Sequence, residues 1–303
     1  MTTAVATQKT WYGGLTKPLA KITAKVAKAV AKLKPTRNPG GNGPIARLLT
    51  SRDGGPVRRI VNGRQTKYTG FFVSVKADFA QMPWESRQGE KPALVLSEAS
   101  GRVVSLLAQP HRLEIFVKEQ RAPLTYFPDL QLKVHPSFLD DLRSGIPFST
   151  AALAPSQDEP DDRLVTLIIE IKDDRDRRQN SPRYKKKLEL AKEVYRSIGI
   201  EFLVIQRAED IFPGDVRIAS SVVSWRHTAV SQMDIWAVEK VLRPCEKAAA
   251  EVVAALGDGP RGWAKLRALH IRRIVDMDLT EAVSPTTSVR LPVHNSLKIG
   301  VRY

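Results

Sequence analysis

The sequence has one cysteine, few histidines and no long hydrophobic run. The lone Cys245 among 303 residues excludes an intramolecular disulfide and a zinc site built from several cysteines. Its helical surroundings predict a packed, unreactive thiol. No apolar run approaches the roughly 20 residues that span a bilayer, and no segment near the N-terminus resembles a secretory signal. We therefore expect a cytoplasmic globular protein whose 42% hydrophobic content supplies a core.

Acidic residues are absent from the first 52 residues, which carry ten lysines and arginines. Fifteen basic residues opposed only by Asp53 give the first 76 residues +14 of the formal net charge of +16. The remaining 227 residues are therefore nearly neutral at +2. Such a polycationic front predicts binding to a polyanion, with nucleic acid as the first candidate.

A basic amphipathic helix is predicted inside this front, because lysines recur at helical spacing beside an apolar side. The predicted nucleic-acid contacts are Lys21, Lys25, Lys28, Lys32, Arg58 and Arg59. We expect residues 1–52 to form a flexible extension that orders on DNA or on a protein partner. A solvated tail and an anionic membrane surface are the alternatives. Asn62-Gly63 predicts a hairpin directly after Arg59.

The clearest local pattern is a strand, helix and strand over residues 164–206. LVTLIIEIK at 164–172 reads as a buried strand whose alternation places Glu170 and Lys172 on one face. Ser181-Pro182 then predicts a helix start and Gly199 a helix end. The second strand, 200–206, is expected to pair in parallel with the first through a right-handed crossover.

Other elements flank this unit. We expect a strand at 70–76, a short helix at 90–100, and extended segments at 103–107, 113–117 and 124–134. Prolines and acids make 136–163 a predicted surface insertion. Helical periodicity over 232–256, interrupted by Pro244, is followed by a helix at 263–272 and a hairpin of 274–279 and 288–293. Together these elements describe a winged-helix module.

In this order, the motifs resemble those of the TnsA family, the endonuclease subunit of heteromeric transposases. The resemblance covers roughly residues 60–295. The matching stretches are GFFVSVK at 70–76, Trp84-Glu85-Ser86 with Glu90, Gln109-Pro110, Tyr126-Phe127-Pro128-Asp129, Glu170-Ile171-Lys172 and RIVDMDL at 273–279.

The resemblance implies an α/β fold. A restriction-endonuclease-like mixed sheet flanked by helices is expected over 53–206, and a small winged-helix domain over 207–303. It also implies a Mg²⁺-dependent endonuclease, with Mn²⁺ as a substitute, that cuts one strand at each transposon end. The implied partners are double-stranded DNA, a DDE-type transposase and an AAA+ ATPase regulator. A nucleoid-associated location when bound to DNA follows.

Site residues carry over by position. Asp129 and Glu170 are expected to hold the metal, Lys172 to orient or activate the attacking water, and Glu90 to complete the site. Phosphodiester hydrolysis suits these residues, because Mg²⁺ prefers oxygen ligands and a lysine adds positive charge where hydroxide forms. Glu85 is the alternative helical acid and Glu98 a third. Some family members carry glutamine where Glu170 stands.

Each candidate also has a structural interpretation. Asp129 could cap a turn, Glu170 and Lys172 could form a solvated ion pair, and Glu90 could be an acid facing the helix dipole. Two other functions fit the same sequence. One is a non-catalytic DNA-binding or assembly factor with a degenerate nuclease fold, and the other is a stand-alone phage or defence nuclease.

Overall fold

The computed structural model describes residues 45–58, 60, 68–118, 120, 122–157, 159–174 and 181–292. The four lysines of the predicted basic helix, Arg59 and the Asn62-Gly63 hairpin lie outside these residues. No helix within the described ranges has both the length and the hydropathy needed to cross a membrane.

The chain has a mixed α/β fold. Its strands are β1 (Ala46–Thr50), β2 (Gly70–Val73), β3 (Gln81–Trp84), β4 (Val103–Ala108), β5 (His111–Ile115), β6 (Leu124–Tyr126), β7 (Leu130–Val134), β8 (Val165–Lys172), β9 (Glu201–Gln206), β10 (Lys247–Ala248), β11 (Asp276–Met277) and β12 (Ser288–Arg290). Its α-helices are α1 (Glu90–Ala99), α2 (Pro136–Arg143), α3 (Phe148–Leu153), α4 (Pro182–Ser197), α5 (Arg207–Asp210), α6 (Pro213–Val223), α7 (Gln232–Leu242), α8 (Ala249–Ala255) and α9 (Gly259–Ile271).

A four-stranded sheet of order β4-β7-β8-β9 forms the centre of the molecule. β7 pairs antiparallel with both β4 and β8, whereas β8 and β9 pair in parallel, with Glu170 opposite Val204. Leu167, Ile168 and Ile169 are fully buried. The parallel pairing predicted for this unit is confirmed, because the uninterrupted apolar run of β8 has both faces covered.

A second sheet of order β1-β5-β6 borders the central one. β1 pairs antiparallel with β5, so the N-terminal extension, expected to run to residue 52, ends before Ala46. The extended segment predicted over 124–134 is divided by Phe127, Pro128 and Asp129 into β6 and β7, which belong to different sheets. The predicted strand at 70–76 ends at Val73 and continues as a 3₁₀ turn.

The segment 136–163, predicted to be a surface insertion, instead contributes to the hydrophobic core. It forms α2 and α3, and Phe138 and Phe148 are fully buried with perpendicular rings. The prediction failed because it treated every proline as a break. Pro136 stands at a helix N-terminus, where the missing N–H needs no partner, and Pro147 precedes the next helix.

The C-terminal helices share their core with the rest of the chain. Buried residues of α6, α8 and α9 join one cluster with α1 and the central sheet, so the boundary predicted at residue 206 does not separate two cores. The interruption predicted at Pro244 within 232–256 is confirmed, because α7 ends before it and α8 begins after it. Cys245 lies there and is exposed, so the prediction of a packed thiol was wrong. The predicted C-terminal hairpin is present as β11 and β12.

Candidate active site

The C-terminal end of β8 presents an acid and a lysine in contact. Both Glu170 and Lys172 are buried, 6% and 4% exposed, and the Lys172 ammonium donates to Glu170 Oε1. The Tyr184 hydroxyl donates to the same oxygen at 2.5 Å, and the Tyr126 hydroxyl donates to Oε2 at 2.6 Å. The ion pair is therefore enclosed by protein, unlike the solvated pair that the sequence left open.

Asp129 lies beside this pair because the chain turns from β6 into β7 at the level where β8 ends. Its Oδ2 accepts a hydrogen bond from the Ile171 backbone N–H at 2.8 Å. This partner is distant in sequence, so the carboxylate does not cap a local turn. Burial raises the pKa of Asp129 well above its usual value, and the charges of Glu170 and Glu90 raise it further.

Glu90 is the first residue of α1 and completes a group of three acids with Asp129 and Glu170. Its Oε2 accepts a hydrogen bond from the Glu85 backbone N–H at 2.8 Å. Burial raises the pKa of Glu90 to about 7, and the neighbouring charges of Glu85 and Glu170 act in the same direction. We call Glu90, Asp129 and Glu170 the acid cluster.

The two alternative glutamates lie elsewhere. Glu85 Oε1 forms an ion pair with Arg58 at 2.6 Å, at the rim of the acid cluster. Glu98 is fully buried at the opposite end of α1, where it accepts hydrogen bonds from the Ser74 hydroxyl and the Val75 N–H. Of the three candidates, Glu90 has the charge that acts on both Asp129 and Glu170.

Arg58, predicted to contact nucleic acid, is held at this rim. Besides Glu85, its guanidinium donates to Gln109 Oε1 at 3.2 Å and lies 5.3 Å from the centre of the Phe127 ring. Gln109 is itself fully buried, and its backbone N–H donates to the Asp129 carbonyl at 2.9 Å. The Gln109-Pro110 motif thus supports the turn that carries Asp129.

Sequence reasoning missed the two tyrosines that hold Glu170. Tyr126 stands three residues before Asp129 in a matched motif, so its position was noted without a role. Tyr184 gave no signal, because its contact with Glu170 depends on how α4 packs against β8. The Lys172 ammonium lies 4.1 Å from the centre of the Tyr184 ring, a cation–π contact that fixes the lysine.

The acid cluster offers the oxygen ligands that Mg²⁺ prefers. The hydrogen bonds described above use one oxygen each of Asp129 and Glu90, but both oxygens of Glu170. Among the described residues, no three acidic, histidine or cysteine side chains are already arranged around one point to hold an ion. The donor chemistry fits a hard cation, and binding one requires the carboxylates to turn toward it.

Comparisons with known proteins identify no family for this chain. No protein-family model matches the chain. No characterised protein matches its sequence either.

Proposed function

We propose that this protein is a metal-dependent DNA endonuclease, the subunit of a heteromeric transposase that hydrolyses one strand at transposon ends. The observation that carries the proposal is the convergence of Glu90, Asp129 and Glu170 beside Lys172 at the end of one buried strand. The charge of Glu170 raises the pKa values of both Asp129 and Glu90, and that of Glu90 acts on Asp129 as well. Such repulsion is unfavourable in an apo protein, and a divalent cation relieves it.

The proposed fold is a restriction-endonuclease-like core followed by a winged-helix-like C-terminal part. In support, the central sheet is mixed, with its acids at the ends of β8 and before β7. The C-terminal elements follow the order α7, β10, α8, α9, β11 and β12, and the three strands form one antiparallel sheet, as in a winged helix. Because both parts share one core, we propose a fixed arrangement of the two.

In the proposed mechanism, Asp129, Glu90 and Glu170 would hold Mg²⁺, and the hydrogen bonds of Asp129 and Glu90 leave one carboxylate oxygen of each unused. A bound Mg²⁺ supplies positive charge to the phosphate and lowers the pKa of water. The Ile171 N–H and the Glu85 N–H keep the two carboxylates oriented. Tyr126 and Tyr184 orient Glu170 in the same way.

Lys172 is proposed to stabilise the developing negative charge on the attacking water and on the phosphate. In the structure its ammonium is directed at Glu170, which it neutralises. A metal held by these acids would share the charge of Glu170, and the Lys172 ammonium would then be able to turn from this carboxylate to the substrate. The Tyr184 ring limits that movement to a short distance, because it lies against the same ammonium.

The partners proposed are a DDE-type transposase, which joins the ends, and an AAA+ ATPase regulator. The +14 charge of the first 76 residues supports DNA as the substrate. We expect little cleavage by the isolated chain and strand-specific cleavage of end DNA when the partners and Mg²⁺ are added.

The test is a nicking assay on end-labelled transposon-end DNA with the partners and either Mg²⁺ or Mn²⁺. Asp129→Ala and Lys172→Met are expected to lower the rate at least ~100-fold, since each removes a charge that acts on the transition state. Lys186→Ala, at an exposed position of α4, is the control. Circular dichroism checks that the variants fold. Unchanged products from Lys172→Met would refute the catalytic assignment.

A second candidate is a non-catalytic DNA-binding or assembly factor. The saturation of both Glu170 oxygens by Lys172, Tyr126 and Tyr184 favours it, because this carboxylate is satisfied without a metal. Isothermal titration with Mn²⁺ separates the two. The second function predicts no Mn²⁺ binding and a salt-sensitive affinity for DNA that survives Asp129→Ala.

A further inference from the structure

A cleft of about 370 Å³ lies between the edge strand β6 and the first turns of α4, and Tyr184, which donates to Glu170, is part of its lining. Residues 123–125 form one wall, and Arg183, Tyr184 and Lys187 form the other. β6 is the outer strand of its sheet in the described part of the chain, so its far edge has no strand partner there. We call this space the α4 cleft.

The described residues that line the α4 cleft include two basic side chains and no acidic one. Arg183 is exposed at its mouth, whereas Lys187 is half-buried. The Lys187 ammonium lies 4.9 Å from the centre of the Tyr184 ring and 5.6 Å from that of Tyr126. Two aromatic rings thus fix the position of this ammonium, which lowers the entropy lost when it contacts an anion.

Tyr184 connects the α4 cleft to the acid cluster. Its ring contacts the ammonium of Lys187 and also that of Lys172, while its hydroxyl donates to Glu170. The cleft and the acid cluster are therefore separated by a single side chain. An anion in the cleft lies next to the place where the proposed reaction occurs.

This position matters because the acid cluster repels a polyanion. A nucleic-acid strand that reaches the cluster needs cations beside it to hold its neighbouring phosphates. Backbone phosphates are bound mainly by lysine, arginine and backbone N–H groups, and such contacts fix the register of the strand. Arg183, Lys187 and the edge of β6 together offer these groups within one cleft.

We infer that the α4 cleft binds the backbone phosphate next to the scissile phosphate. Arg183 and Lys187 contact that phosphate. Tyr184 positions both Glu170 and Lys187. The inference rests on the proposed function, since it names a substrate subsite of that same site. It assigns to the first turns of α4 a part in substrate binding in addition to their packing against β9 and β5.

The test measures DNA affinity against salt with the full chain. The probe is a fluorescein-labelled DNA duplex, titrated by anisotropy over a range of NaCl in Ca²⁺, which holds the site without supporting rapid cleavage. The variant Arg183→Ala/Lys187→Ala is expected to bind about tenfold more weakly at low salt. Its plot of log K against log salt should be shallower by about 0.9, the value for one phosphate contact.

The matched control is Lys186→Ala/Lys192→Ala, which removes the same charge from exposed positions of the same helix outside the cleft. It should leave the salt slope within error of the wild-type value. An equal loss in both double variants would mean general electrostatic attraction and would overturn the inference. An unchanged slope in Arg183→Ala/Lys187→Ala would overturn it as well.

Two combined outcomes of the nicking assay and the salt titration distinguish a failure of this inference from a failure of the proposed function. If the wild-type chain nicks DNA but the cleft variant keeps the full salt slope, the cleft assignment fails and the nuclease stands. If the slope falls as expected but no metal or partner produces nicking, the cleft stands and the nuclease fails.

Tyr184→Phe should keep the DNA affinity and lower the nicking rate constant, because it removes only the hydroxyl that holds Glu170. Wild-type nicking by Tyr184→Phe would refute its positioning role.

Discussion

The two ends of α1 lie in opposite electrostatic surroundings. At its N-terminus Glu90 joins Asp129 and Glu170, and burial together with the neighbouring acidic charges raises the pKa values of Glu90 and Asp129. At its C-terminus the basic side chains have partners, and the buried acid Glu98 lies among them. His270 Nε2 donates to the Ala99 carbonyl at 2.7 Å, and Arg273 Nε donates to the Gly101 carbonyl at 3.0 Å.

Lys76 completes the C-terminal group. It is buried, and its ammonium donates to the Ser97 and Ser100 carbonyls, the last of the helix. Burial lowers the pKa of Lys76 to about 7, and the charge of Glu98 opposes that shift. Cations suit the negative end of a helix dipole, so this end is satisfied by charge and by hydrogen bonds alike.

This difference in electrostatic surroundings indicates that the C-terminal end of α1 has a structural role and the N-terminal end a functional one. A buried polar network in which every group is paired stabilises one arrangement of the chain. A cluster of acids with unmet repulsion reduces stability and is retained where a ligand or a reaction needs it. α1 is a single rigid element of ten residues, so the paired end fixes the position of Glu90 at the other.

The largest expected effect is at the paired end. Glu98→Ala should lower the free energy of unfolding by about 3–5 kcal/mol, because it leaves Lys76 buried without its counter-charge and removes the acceptor of the Val75 N–H. Urea denaturation measures this change. Glu189→Ala, at an exposed position of α4, should change it by less than about 0.5 kcal/mol. If Glu98→Ala lowers the free energy of unfolding by less than about 1 kcal/mol, the paired C-terminal end of α1 does not stabilise the fold in the way proposed.

Much of the central sheet could be predicted from the sequence. The strand, helix and strand of 164–206 were placed within two residues at their ends, because a continuous apolar run, a proline at the helix start and Gly199 each have one common structural meaning. The segment 136–163 was predicted wrongly because a proline in a sequence can mark either the start of a helix or a break in one. Only its packing distinguishes the two, since Phe138 and Phe148 meet in the core.

The candidate site was only partly predictable. Asp129, Glu170 and Lys172 belong to motifs, and the structure brings them together. The choice between Glu90 and Glu85 could not be made from spacing, because the turn before α1 decides which carboxylate faces inward. Tyr184 could not be found at all, because its contact with Glu170 arises from tertiary packing of α4.

At the acidic end of α1, removing a charged group is expected to increase stability, whereas Glu98→Ala at the other end should decrease it. The pKa of Glu90 is about 7 in the folded protein and near 4.5 when unfolded, so its charge destabilises the fold increasingly as pH rises from 4.5 to 7. Glu90→Gln keeps the acceptor for the Glu85 N–H and removes the charge. It should raise the free energy of unfolding by about 1–3 kcal/mol at pH 8. The gain should disappear below pH 4.5, and urea denaturation at both pH values measures it. A loss of stability at pH 8 would show that Glu90 is not repelled.

The smallest expected effect identifies the glutamate that completes the acid cluster. A cation that binds the folded state alone stabilises it by about 1.4 kcal/mol when its concentration is ten times Kd. Ca²⁺ should therefore raise the unfolding temperature of the wild-type chain, and Asp129→Asn and Glu90→Gln should reduce that rise. Glu85→Gln should keep it, because the Glu85 carboxylate is paired with Arg58 and not with the acid cluster. If Glu85→Gln abolishes the response and Glu90→Gln preserves it, Glu85 is the ligand, and the raised pKa of Glu90 reflects burial alone.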